Sequence, residues 1–111
     1  MELLEATRGL SALAQPSRLQ VFRLLIQAGP EGLAAGDIAR SLTLAPNTLT
    51  AQLHILVEAG LIHSERLGRN VIYRADPEAI TQLVTYLVED CCGGRPEVCA
   101  PLSAVLELSC S

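Results

Sequence analysis

Gly60 separates a helical segment from a β segment in the middle of the chain. Before this glycine, the leucines of residues 46–59 recur at the spacing of one helix face. After it, two short segments, 62–67 and 71–74, flank Gly68-Arg69-Asn70, and this arrangement predicts a tight β-hairpin. A helix that runs directly into a hairpin leaves few small folds open to the chain.

Proline and glycine residues mark four further helices. We expect these helices to be residues 3–14, a segment from Pro16 to the Gly29-Pro30 break, residues 35–42, and a segment from Pro77 that Asp76 caps. The expected fold is therefore mainly α (α+β). It is a winged helix-turn-helix of about five helices with a two-stranded β-hairpin wing.

The apolar residues of two of these helices predict what each helix packs against. In the second helix, Leu19, Phe22 and Ile26 are expected to form the buried stripe. In the fifth helix, an apolar stripe that includes Leu83, Leu87 and Val88 is too broad for a chain this small to cover. We therefore expect the fifth helix to be a dimer surface.

Length and composition fit one small intracellular domain. The 111 residues suffice for a single domain, and we divide them into a DNA-binding and dimerisation domain, 1–90, and a cysteine-containing tail, 91–111. No apolar run approaches the ~20 residues of a membrane span, and the N-terminus lacks the basic start of a signal peptide. We expect a cytoplasmic protein, in which thiols stay reduced, with no membrane partner.

The outward face of the predicted fourth helix carries short polar groups suited to DNA. With its leucines turned inward, the remaining positions can reach base edges or phosphates, and Arg side chains on the wing can reach the backbone or the minor groove. The candidate DNA-binding residues are Asn47, Thr48, Thr50, Ala51, Gln52, His54, Arg66, Arg69 and Arg74.

The charge distribution agrees with this assignment, although the net charge is −4. Residues 1–74 hold seven arginines against six acidic residues, whereas residues 75–111 hold one arginine against six. Because the acidity is concentrated near the C-terminus, the first two-thirds of the chain can still face phosphates. The chain has no lysine, so each of its eight cationic side chains is an arginine.

Three segments resemble the ArsR/SmtB family of bacterial metal-responsive repressors. The segment Leu44–Ile62 resembles the family's recognition helix, Leu13–Leu19 resembles the entry into its second helix, and Gly68–Arg74 resembles its wing. The resemblance covers roughly residues 8–90. It implies a homodimer built on the first and fifth helices that leaves operator double-stranded DNA when an inducer binds.

The cysteines indicate which inducer to expect. The Cys-x-Cys pair that some arsenic and cadmium sensors of the family carry on the third helix is replaced here by Leu33-Ala34-Ala35-Gly36-Asp37. The segment Cys91–Cys99 instead resembles the C-terminal arsenite site of one branch of arsenical repressors. As(III) favours three thiolates in a pyramid, and Cys91, Cys92 and Cys99 would supply them. Sb(III) is the alternative inducer, and Cys110 has no assigned role.

Several alternatives remain open from the sequence. Soft thiolates do not by themselves separate arsenic from antimony, cadmium, lead or copper(I). A thiol-oxidation switch on the same fold is the main rival, and a winged-helix module used only for protein contacts is another. A small enzyme of thiol chemistry is disfavoured, because the chain has no Cys-x-x-Cys motif, no phosphate-binding Gly loop, and no His or Lys beside its cysteines.

Overall fold

The computed structural model describes residues 1–88. This part of the chain contains five helices, three strands and a three-residue 3₁₀ turn, Gly29–Glu31. They are α1 (Leu3–Leu13), α2 (Pro16–Ala28), β1 (Leu33–Ala34), α3 (Ala35–Leu42), α4 (Pro46–Glu58), β2 (Ile62–Leu67), β3 (Asn70–Ala75) and α5 (Pro77–Val88). The predicted helices and hairpin are confirmed. The predicted ligands Cys91, Cys92 and Cys99 lie outside the described residues, as does Cys110.

The wing contains one strand more than the sequence predicts. Its antiparallel order is β1-β3-β2, with Leu33 opposite Tyr73 and the β2–β3 pairing running from Ile62–Ala75 to Leu67–Asn70. β1 has only two residues and so shows no alternating pattern that would predict it. Its place depends on Gly32, since a Cβ on this residue would lie 2.4 Å from the carbonyl oxygen of Tyr73.

The core lies where α2, α3 and α4 meet the base of the hairpin. Leu49, Leu53 and Leu56 turn inward from α4 as predicted, and they pack with Ile38 of α3 and Ile62 of β2. Burying such side chains contributes about 1.5–3 kcal/mol each, so this cluster fixes the orientation of α4.

The prediction of which α2 residues are buried was wrong at two of its three positions. Phe22 is buried, but Leu19 and Ile26 are 42% and 40% exposed, and Val21 and Leu25 take their place in the core. Apolar residues occupy several faces of this helix, so the pattern alone allowed two phases. Packing against α4 and the sheet selects the phase that buries Val21 and Leu25.

α5 packs on α1 through one of the residues assigned to the dimer stripe. Leu83 is 2% exposed, and its methyl groups lie 3.7–4.0 Å from where a Cβ on Gly9 would stand. Leu83 thus belongs to the core of the protomer, which corrects its place in the dimer stripe. Leu87 stays exposed, and so do three leucines of α1. We call the set the α1–α5 face: Leu3, Leu4, Leu10 and Leu87.

No helix within residues 1–88 has the length and apolar character needed to cross a lipid bilayer.

Candidate nucleic-acid interface

The turn between α3 and α4 presents the first turn of α4 to solvent. Thr43 ends α3 in the left-handed conformation, with φ 53°, and the N–H of Leu44 donates to the carbonyl of Ala39 at 3.0 Å. Pro46 then occupies the first turn of α4, where a missing N–H costs nothing. The N–H groups at this helix start carry the positive end of the helix dipole, which favours contact with phosphate.

The exposed side of α4 holds most of the residues predicted to bind DNA. We call this set the recognition face: Asn47, Thr48, Thr50, Ala51 and His54, all exposed. The hydroxyl of Thr50 donates to the carbonyl of Pro46 at 2.9 Å, which leaves its oxygen available as an acceptor. His54 Nε2 lies 4.0 Å from a carboxylate oxygen of Glu58, at the far end of the helix. The face therefore presents small groups able to donate and to accept hydrogen bonds.

Gln52, also predicted to bind DNA, lies at the edge of this face and already has a partner. Its Oε1 accepts a hydrogen bond of 3.0 Å from Nη1 of Arg18, which belongs to α2. Nε of the same arginine donates to the carbonyl of Ala12 at 2.6 Å. Gln52 is accordingly half-buried, and one end of its amide is held inside the protein.

No pattern in the sequence predicts this contact of Arg18 with Gln52. Arg18 and Gln52 stand 34 positions apart and lie on different helices, so no local periodicity relates them. The contact appears only when α2 crosses α4.

The three arginines of the wing have different surroundings. Arg66 and Arg69 are exposed at the far end of the hairpin, and neither guanidinium has a hydrogen bond or ion pair with residues 1–88. Arg74 lies at the base of the hairpin, where its Nε donates to Pro30 O at 2.9 Å and its Nη1 lies 3.1 Å from Glu65 Oε1. Arg66 and Arg69 are thus available to phosphates, whereas Arg74 already stabilises the fold.

Asp76 joins the wing to α5. Its Oδ1 accepts from the N–H groups of Glu78 at 3.0 Å and Ala79 at 3.3 Å, which confirms the predicted cap. Its Oδ2 lies 2.9 Å from Nε2 of His63, at the start of β2. The pKa of Asp76 lies below its usual value, mainly because His63 hydrogen-bonds to the carboxylate. The N–H groups of Glu78 and Ala79 lower the pKa further, whereas burial of the carboxylate raises it.

Comparison with known proteins agrees with this arrangement. A helix-turn-helix domain model matches residues 13–65. The chain is 33% identical over 88 residues to the uncharacterized HTH-type transcriptional regulator YbzH of Bacillus subtilis, covering 68% of this chain and 88% of that protein.

Two solved structures share the fold and part of the sequence. One is the homodimeric winged helix-turn-helix DNA-binding domain of Mb0332 from Mycobacterium bovis, a possible ArsR-family regulator. It is 32% identical with a TM-score of 0.62, over 78% of this chain and 84% of that one. The other is a possible transcriptional regulator for arsenical resistance. It is 28% identical with a TM-score of 0.63, over 71% of this chain and 79% of that one.

The turn, the exposed polar helix and the free arginines of the wing are thus found in a chain whose relatives are transcriptional regulators. The chain is a member of the ArsR/SmtB family of winged helix-turn-helix transcriptional regulators.

Proposed function

We propose that this chain is a homodimeric repressor that leaves its operator DNA when As(III), or Sb(III), binds Cys91, Cys92 and Cys99. The observation that carries the proposal is the pattern of three cysteines, Cys91-Cys92 followed by Cys99, just beyond α5 in a regulator of this family. Arsenic in this oxidation state has three valences and a lone pair, so three thiolates satisfy it. The structural neighbour described as a possible transcriptional regulator for arsenical resistance is consistent with the same inducer.

The recognition face and the free wing arginines are the groups that would hold the operator. Asn47 and the threonines of α4 would meet base edges or phosphates in the major groove. Arg66 and Arg69 would meet phosphates beside it, where each guanidinium releases condensed counterions. The internal contacts of Arg74 leave it a smaller share of this binding.

The α1–α5 face is the surface that would join two copies. Leu3 and Leu4 are 66% and 75% exposed, and Leu87 is 52% exposed, so large apolar side chains face solvent on two packed helices. Exposed large apolar side chains on neighbouring helices favour an interaction site. The homodimeric state of the Mb0332 domain supports a second copy of the chain as the partner.

A chain of contacts in residues 1–88 leads from α5, through α1, to α4. Val88, the last residue of α5, stands three positions before Cys91. α5 packs on α1 through Leu83, and Arg18 links the end of α1 to Gln52 of α4. An inducer that changes the end of α5 would therefore change the spacing of two recognition helices. Coupling between sites is typically worth about 1–3 kcal/mol, or about 5- to 150-fold in affinity.

The test is a titration of DNA binding with arsenite. The reduced full-length protein is bound to a fluorescent duplex selected from random DNA, and anisotropy follows its release as sodium arsenite is added. We expect release from the unaltered protein, and none from variants with serine at 91, 92 or 99 that still bind the duplex. Cys110→Ser is the matched control and is expected to respond normally.

Other outcomes of the same titration would contradict the proposal. If the triple variant Cys91→Ser, Cys92→Ser, Cys99→Ser still releases DNA with arsenite, the inducer binds elsewhere. If peroxide releases DNA from the unaltered protein and arsenite never does, the protein is a thiol-oxidation sensor. If cadmium or zinc acts and arsenite does not, the thiolates serve another metal.

A further inference from the structure

A hollow of about 250 Å³ lies where α1 and the start of α2 meet the second half of α4. A hollow needs only about 10–15 Å³ to hold one water molecule, so this one has room for a phosphate group. Its polar lining consists of Arg8, Ser11, Arg18, His54 and Glu58. Two arginines, a hydroxyl and an imidazole thus accompany a single carboxylate, although the net charge of the chain is −4.

Arg18 brings a half-buried positive charge to this hollow, and no carboxylate of residues 1–88 pairs with it. Its Nε donates to the carbonyl of Ala12 at 2.6 Å and its Nη1 to Oε1 of Gln52 at 3.0 Å, and both acceptors are neutral. A guanidinium has five N–H donors, so the two of Nη2 are left without a partner in this part of the chain. An anion in the hollow would offset the cost of burying this charge.

Two side chains of α1 complete the donor set. Arg8 and Ser11 are exposed, and neither the guanidinium nor the hydroxyl has a hydrogen bond or ion pair in the described part of the chain. Arg8 also borders a neighbouring hollow that contains Glu5, Asp76 and Glu78, but none of these carboxylates pairs with it. Its charge is therefore available to an anion from outside the chain.

The hollow adjoins the surface that is proposed to meet DNA. His54 belongs to the recognition face and also lines the hollow, and Gln52, at the edge of that face, binds Arg18. A recognition helix in the major groove has backbone phosphates beside it, and contacts with them fix its register. This position favours a phosphate of the DNA backbone over a free anion as the occupant.

We propose that Arg8, Ser11 and Arg18 form a phosphate-binding site that holds one backbone phosphate of the operator beside the recognition helix. The two guanidinium groups supply charge-assisted hydrogen bonds, and the hydroxyl supplies a neutral one. Such a contact positions α4 and adds affinity but carries no sequence information. The inference rests on the DNA binding proposed above, but not on the inducer.

The experiment couples single phosphates of the duplex to single side chains. In a duplex selected from random DNA, each phosphate in turn is replaced by a neutral methylphosphonate, and anisotropy measures the affinity of the reduced full-length protein. We expect one phosphate in each half-site whose replacement weakens binding of the unaltered protein roughly tenfold, as for one hydrogen bond to a charged group. The same replacement should leave the affinity of Arg8→Ala nearly unchanged. Replacement at phosphates that other side chains bind should weaken both proteins equally.

Matched variants separate this role of Arg8 from a general loss of charge. Arg8→Lys keeps a positive donor and should restore part of the sensitivity at that phosphate. Ser11→Ala removes one neutral donor and should reduce the sensitivity less than Arg8→Ala does. Arg23→Ala, at an exposed arginine of α2 that does not line the hollow, is the control and should respond as the unaltered protein does. Sedimentation velocity measures the oligomeric state of each variant.

Two results would overturn the inference. One is Arg8→Ala with the full sensitivity of the unaltered protein at every phosphate. In that case, if inorganic phosphate at fixed ionic strength raises the thermal unfolding temperature of the unaltered protein but not of Arg8→Ala, the hollow takes a free anion. The other is Arg8→Ala that separates into monomers, which would assign Arg8 to the contact between copies. A protein that binds no duplex would contradict the proposed function, whereas one that binds DNA but ignores arsenite would contradict only the inducer.

Discussion

The recognition face and the α1–α5 face are both exposed, yet their chemistry is opposite. The first carries amide, hydroxyl and imidazole groups on α4, with two unpaired arginines on the neighbouring wing. The second carries leucines up to 75% exposed. A polar surface with free cations suits a hydrated polyanion, whereas an apolar surface suits another apolar surface.

The two faces are also connected through specific contacts. Arg18 links the end of α1 to α4, and Asp76 links the start of α5 to β2. Each link combines a charged group with helix-end backbone groups, and such hydrogen bonds are stronger than neutral ones. A change at one face therefore has a physical route to the other. The following predictions test each face and one junction separately.

The largest effect is expected at the α1–α5 face. Leu87→Glu places a charge on an exposed position, so the protomer should fold while the proposed dimer separates. Loss of the second recognition helix should lower affinity for a two-half-site duplex by about 10²- to 10⁴-fold. Sedimentation velocity and anisotropy measure the two effects. Thr85→Glu, exposed on the same helix, is the control; if Leu87→Glu still sediments as a dimer, the interface lies elsewhere.

The next effect concerns the strand that completes the wing. Gly32 and Gly29 have nearly the same backbone angles, with φ 68° and 73°, in a region where other residues are strained by about 1–3 kcal/mol. Only at Gly32 would a Cβ also meet a backbone carbonyl. Gly32→Ala should therefore lower the free energy of unfolding by a further ~1–3 kcal/mol relative to Gly29→Ala. If urea denaturation shows the same loss of stability for Gly32→Ala and Gly29→Ala, β1 shifts to accommodate the added Cβ at no cost.

A smaller effect is expected at the junction between the faces. Asp76→Ala removes the cap of α5 and the contact with His63, and should cost about 0.5–2 kcal/mol. The pKa of Asp76 is lower in the folded state, so its charge stabilises the fold above the unfolded pKa. That contribution is lost as pH falls through the folded pKa, in the acid range below about 4.

Asp76→Asn separates the two roles of this side chain, since asparagine still caps a helix but carries no charge. It should keep most of the stability at pH 7 and show a weaker loss in acid than the unaltered protein. Thermal unfolding followed from pH 7 to pH 3 is the measurement. If Asp76→Asn loses as much stability between pH 7 and pH 3 as the unaltered protein does, other carboxylates cause the loss of stability in acid.

The smallest effect is expected for single arginines of the wing. Arg69→Ala should remove one phosphate contact and reduce the slope of log affinity against log salt by about 0.9. Arg74→Ala should leave the slope nearly unchanged and lower stability instead, since its guanidinium already binds Pro30 and Glu65. Anisotropy titrations at several salt concentrations measure the slopes. Equal slopes for both variants would mean that Arg74 also reaches a phosphate.

Local features of the sequence were enough to place every helix in residues 1–88 and the hairpin. Pro46, Pro77 and Asp76 mark helix starts through their own backbone chemistry, and the spacing of Leu49, Leu53 and Leu56 sets the inward side of α4. Such signals act within a turn or two of the residue that carries them, so no tertiary contact is needed to recognise them.

The tertiary structure decided what depends on residues distant in the chain. It selected Val21 and Leu25 over Leu19 and Ile26 for the core, because only one phase of α2 fits against α4. It added β1 beside β3, and it placed Arg18 against Gln52. Each of these contacts spans many residues and forms only when helices and sheet pack together. The sequence therefore determined which elements form and which side of α4 faces out, while packing determined which polar groups on that side are free to meet DNA.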